Sequence, residues 1–136
     1  MKIFFRISTV LLLLFLGFGG IYGGLMLITE PSGKNFLWTV ELLDGTPFKD
    51  FLLPGIILLI INGLLPLFIA ILTLLEAKNY YWWIIAQGVI LIGWLTAEIM
   101  FSLDLFSPIT HYPSYGVGII LVLLGLLLFR KQKRQL

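Results

Sequence analysis

Four long apolar runs, residues 7–28, 51–75, 81–103 and 112–129, leave this chain few folds to choose from. The hydrocarbon core of a bilayer is about 30 Å thick and a helix rises about 1.5 Å per residue, so roughly 20 apolar residues cross it. The first three runs meet that length, and the fourth meets it only if it stands nearly upright. A soluble alternative fails on composition. The chain has 136 residues, of which 60% are hydrophobic and 12% charged, with a mean hydropathy of +1.06. Soluble domains are about 45–50% apolar and about 25% charged, and a chain this short cannot hide the excess in a core. The expected fold is therefore all-α: an antiparallel bundle of four transmembrane helices, a single membrane domain over 1–136.

Basic residues set the expected orientation. Lys2, Arg6, Lys78, Arg130, Lys131, Lys133 and Arg134 fall on one side, and Lys34 and Lys49 on the other, seven against two. Both termini are expected in the cytoplasm of a multi-pass protein of the plasma (inner) membrane. The net charge of +2 reflects this placement rather than an anionic partner, and the basic segment 130–136 reads as a stop-transfer signal that touches anionic lipid. Nucleic acid is not an expected partner. Lys2 and Arg6 before an apolar run resemble a signal peptide, but Gly19-Gly20-Ile21-Tyr22-Gly23-Gly24 offers no small-x-small cleavage site and the apolar run continues to Ile28.

Helix one carries Gly19, Gly20, Gly23 and Gly24, two interleaved small-x-x-x-small pairs that let another backbone approach closely. The outer loop, 29–50, is not a plain linker. Phe36, Val40 and Leu43 recur at helical spacing, which predicts a short amphipathic helix over 35–43 on the outer surface. Thr46 followed by Pro47 reads as a cap and first turn for helix two. Pro66 lies deep in helix two, where it removes one backbone bond and predicts a kink with a free carbonyl four residues earlier, at Asn62. Asn62 falls about 18 Å along the helix from Asp50, near the bilayer centre. It is a candidate ligand-binding residue together with Gln87, or else a partner for Gln87 or Thr96 in a bond between helices.

Glu98 is the one acid inside an expected span, roughly 9 Å along the helix from Asp104. An ionisable residue there is a functional candidate by default. His111, the single histidine, is its expected partner, with Asp104 and Lys49 as further neighbours. A carboxylate and an imidazole at the membrane edge can exchange protons, so Glu98, His111 and Asp104 are the catalytic candidates. The chain contains no cysteine, which excludes disulfide and thiol redox chemistry, and one histidine makes a zinc or haem site unexpected. No metal and no cofactor is expected.

The stretch Gly45-Thr46-Pro47-Phe48-Lys49-Asp50-Phe51-Leu52-Leu53-Pro54-Gly55, continuing to Asn62-Gly63, resembles a group of small bacterial four-span membrane proteins without an assigned function. Pro31-Ser32-Gly33 and Trp94 are similar to that group too. The resemblance implies a bacterial plasma membrane and brings across no catalytic residue. Small multidrug transporters share the size and span number, but they carry an essential Glu in the middle of the first helix, where this chain has none. Three functions fit the sequence. The first is an accessory or scaffold protein that binds lipid, a partner membrane protein or a second copy. The second is an oligomeric transporter or channel. The third is a lipid-modifying enzyme at the outer face using Glu98 and His111, with residues 35–43 as a lid.

Overall fold

The computed structural model describes residues 1–134, so the last two residues of the basic tail lie outside the described part. Four helices dominate: α1 (Lys2–Thr29), α2 (Leu52–Leu74), α3 (Tyr80–Phe101) and α4 (Pro108–Arg134), of 28, 23, 22 and 27 residues. Each is long and apolar enough to cross a membrane, and no strand occurs among the described residues. The core of the bundle accounts for few of their apolar side chains. In the most apolar stretch of each helix only 28%, 33%, 28% and 28% of residues are buried. Phe15, Phe18, Leu11 and Leu123 are among the large side chains facing outward. Water would not tolerate that surface; hydrocarbon does.

Helix α4 starts four residues before the expected span, and it is not the shortest helix. Pro108 supplies the fixed φ that suits a first helical position, and Ser107 O accepts the His111 N–H at 2.7 Å. Pro113 falls early in the helix, where the carbonyl it leaves without a donor belongs to Ile109, a residue 85% exposed.

The bundle is built from two antiparallel hairpins, α1 with α2 and α3 with α4, each closed on glycine. A Cβ on Gly20 would lie 2.0 Å from Asn62 O, and one on Gly24 2.9 Å from Gly55 O. In the second hairpin a Cβ on Gly88 would lie 2.6 Å from Gly118 O. The seam does not use all four expected glycines of α1. Gly19 has nothing within 4 Å, and Gly23 meets a single side-chain atom of Leu58 at 3.3 Å. At about 100° per residue, Gly19 and Gly23 lie a step round the helix from Gly20 and Gly24.

The half of the bundle near the termini (the tail end) is filled by Val10, Leu13, Ile69, Ile84, Leu121 and Leu128. Arg6 locks that end. Its guanidinium reaches Glu76 Oε1 at 2.6 Å and donates to the carbonyls of Leu74 at 2.9 Å and Thr73 at 3.2 Å, at the end of α2. Arg6→Met keeps the stem and loses these bonds. It is expected to lower stability by about 1–2 kcal/mol, read as a lower unfolding midpoint in detergent; an unchanged midpoint would refute the lock.

Pro66 disturbs α2 as expected, but the result is a π turn over Ile60–Leu64, not a simple kink. Leu65 N–H bonds Ile60 O, five residues back. In that register the next donor would be Pro66, which has none, so the carbonyl left free is that of Ile61 rather than Asn62.

The opposite end (the loop end) differs most from expectation. Residues 35–43 are not one amphipathic helix but two tight 3₁₀ turns, Lys34–Phe36 and Val40–Leu43. Leu37 breaks the run: its φ is +59°, and the following Trp38 N–H turns back to Gly33 O at 2.9 Å. The reversal points Trp38 inward, stacked on Phe36 with ring centroids 4.9 Å apart and leaning on Phe51 at 5.4 Å. Gly33, at φ +83°, leaves no room for a side chain, since a Cβ would meet the Phe51 ring at 2.8 Å. Thr46 and Pro47 do not open α2. Thr46 Oγ1 donates to Leu43 O at 2.6 Å within the loop, and it is Asp50 Oδ1 that accepts the Leu52 N–H at the helix start, at 3.0 Å.

Candidate functional site

A cavity of about 220 Å³ lies beneath this folded loop. Its floor and walls come from Pro54 and Ile57 of α2 and from Trp94, Ala97, Glu98 and Phe101 of α3; Trp38, Phe48 and Phe51 form the roof. The four α3 residues are spaced i, i+3, i+4 and i+7, which puts them on one face of the helix. The gap exists because α2 and α3 meet through the tail-end half of α2, whereas α2 before the π turn packs against α1. Phe101, 46% exposed, stands at the rim, so the gap reaches the outward surface of the bundle.

Glu98 is the one charged residue lining this cavity. Its Oε2 stands 3.0 Å from His111 Nε2 and is the protein group offered to that ring nitrogen. His111 is 4% exposed, whereas a quarter of the Glu98 side chain remains accessible (25%). The indole of Trp94 lies beside the carboxylate as its other polar neighbour. The far side of the imidazole is held by Ser107, whose N–H and C=O both stand 3.2 Å from Nδ1. The N–H suits a neutral ring with its proton on Nε2, and the carbonyl suits an imidazolium. Nδ1 therefore has a partner at Ser107 whether or not it carries a proton.

Asp104 and Lys49 do not join the pair. Asp104 is exposed, and its backbone N–H bonds Ser102 Oγ at 3.3 Å in the turn after α3. The catalytic candidates thus separate into a Glu98–His111 pair 3.0 Å apart and an exposed Asp104 in the following turn.

Asn62 and Gln87 meet each other, and neither lines the cavity. Gln87 Nε2 donates to Asn62 Oδ1 and to Ile61 O, both at 3.1 Å, so α3 supplies the donor that Pro66 denies to α2. Thr96 instead bonds Tyr115 across to α4 at 2.9 Å. The roof is what sequence reasoning missed. Trp38 and Phe51 come together through the positive φ of Gly33 and Leu37, and only the glycine could have signalled it.

The loop end carries Glu30, Glu41, Asp44, Asp50 and Asp104 against Lys34 and Lys49, five acids to two lysines and a net charge of −3. The Glu41 carboxyl is held below its ordinary value by a hydrogen bond with Thr39, so it stays charged. No group of three or more metal-ligating side chains occurs among the described residues.

Fold and surface define a class, a four-helix multi-pass membrane protein with an apolar cavity at one end. Comparison with protein-family models, with curated proteins and with solved structures gives no match that would narrow the class further.

Proposed function

We propose that this protein is a small binding protein of the plasma membrane that holds a lipid-like ligand in the cavity at its outer end, with both termini in the cytoplasm. The observation that carries the reading is the cavity itself: an apolar space at membrane depth, roofed by a folded loop and reaching the lipid-facing surface between α2 and α3. At about 220 Å³ it is smaller than the about 300–1,000 Å³ of sites that swallow a whole drug-sized molecule. It suits one part of an amphiphile, with the remainder lying in the bilayer. The orientation follows from the seven basic residues at the tail end against two at the loop end. The resemblance to small bacterial four-span proteins accords with a bacterial plasma membrane. The tail half of the bundle is packed with Leu13, Ile69, Ile84 and Leu121, each 0% exposed, which opposes a path through one copy.

The test is to fill the cavity. Ala97 faces it from α3, and Ala97→Phe adds a ring to the space. Native mass spectrometry of the gently purified protein is expected to show a retained lipid-class adduct in the wild type. That adduct should fall about tenfold in Ala97→Phe, while the variant keeps its monodisperse profile. Equal adducts in both proteins would rule the cavity out as the binding place.

A further inference from the structure

The cavity wall is more particular than an acyl chain requires. Of its twelve lining residues five are aromatic (Trp38, Phe48, Phe51, Trp94 and Phe101), and one, Glu98, is charged. The rings come from both sides of the space, Trp94 and Phe101 from α3 and the other three from the loop. Within the roof Trp38 leans on Phe51 at 5.4 Å, and Phe48 meets Phe101 edge to face at 6.1 Å, which ties the roof to α3. A neutral chain would satisfy the rings but offer nothing to the Glu98 carboxyl, the one charged group in the wall. An anionic amphiphile would meet Glu98 and a loop end of net charge −3.

Resting on the reading of this cavity as a ligand site, we propose that the ligand is a cation: an alkylated ammonium group on an apolar body, caged by Trp38, Phe51, Trp94 and Phe101 and neutralised by Glu98. Aromatic faces attract cations, tryptophan most strongly, and the attraction grows when water is excluded. An alkylated ammonium is weakly hydrated and has few N–H groups to satisfy, so it loses least on entering a wall that offers one carboxylate and no ring of acceptors. The acidic loop end raises the local concentration of such a cation before it binds. His111, which does not line the cavity, backs the Glu98 carboxyl at 3.0 Å.

The chemistry is shared by two sources, the headgroup of a choline-type lipid and a free amphiphilic cation. The full-length protein in maltoside micelles is titrated with decyltrimethylammonium, with its uncharged carbon isostere 2,2-dimethyldodecane, and with phosphatidylcholine, binding being read by native mass spectrometry. Decyltrimethylammonium is expected to bind about tenfold or more tightly than the isostere. Glu98→Gln should abolish that preference while leaving the isostere's own binding within about twofold. Trp94→Leu should reduce the preference in the same direction, and it decides the matter if Glu98→Gln does not stay folded. Saturation by phosphatidylcholine would assign the ammonium to a lipid headgroup; saturation by decyltrimethylammonium alone would assign it to a free cation. Equal binding of the ammonium and the isostere, or a preference that survives both substitutions, overturns the cation and leaves an apolar ligand. Binding of none of the three overturns the ligand site itself.

Discussion

Gly20→Ala is expected to destabilise the bundle by about 2–3 kcal/mol, whereas Gly19→Ala, one residue away, changes stability by no more than about 0.5 kcal/mol in either direction. The two positions share helix, depth and chemistry, and they differ in what a methyl group would meet. At Gly20 it would lie 2.0 Å from Asn62 O and 2.3 Å from Asn62 C, backbone atoms that cannot swing aside. At Gly19 it meets nothing within 4 Å. Alanine is otherwise the better helix residue, so a gain in stability at Gly19 is consistent with the seam and a loss beyond about 0.5 kcal/mol there is not. The clash at Gly20 has a second consequence. Asn62 belongs to the π turn, so α1 cannot yield without disturbing the register that presents Ile61 O to α3. Equilibrium unfolding in mixed micelles measures both variants, and equal midpoints for the two would mean that α1 and α2 do not meet through Gly20.

The four spans were legible because length and hydropathy alone decide them. The pairing of Glu98 with His111 was legible for a similar reason: one acid within a span and one histidine at the start of the next helix leave little choice of partner. What the sequence hides is rotation. Glycines at 17, 19, 20, 23 and 24 cover more than one face of α1, and a spacing of four is satisfied by two different pairs. The choice between them rests on where Asn62 and Gly55 stand on α2, which is a property of the partner helix. The loop between α1 and α2 hid more. Phe36, Val40 and Leu43 have helical spacing, but Leu37 takes a left-handed conformation that helical periodicity does not reveal. Its cost is offset by burying Trp38 against Phe36 and Phe51, a contact that exists only once the loop is folded over the cavity. The cavity was therefore illegible even though the α3 face beneath it, Trp94 to Phe101, has plain helical spacing.

The membrane-centre amide gives the second large effect, and it separates a kink caused by proline alone from one completed by the neighbouring helix. Gln87→Leu keeps the approximate volume and removes the donor to Ile61 O and Asn62 Oδ1. Asn62 is buried and Ile61 lies within an apolar span, so the loss is expected to be about 2 kcal/mol, toward the upper end for a hydrogen bond between membrane helices. If the reason is the missing N–H of Pro66, the cost depends on that proline. Pro66→Ala restores a backbone donor next in register for Ile61 O, and its own cavity penalty appears in both arms of a double-mutant cycle. Gln87→Leu should then cost at least about 1 kcal/mol less in the Pro66→Ala background than in the wild type. Additive costs, within about 0.5 kcal/mol, would mean that Gln87 and Pro66 act separately. Coupling of the expected sign would mean that the π turn is a joint product of two helices. In that case the divergence of α2 from α3 beyond it, which opens the cavity, is fixed from mid-bundle by a side chain that does not line it.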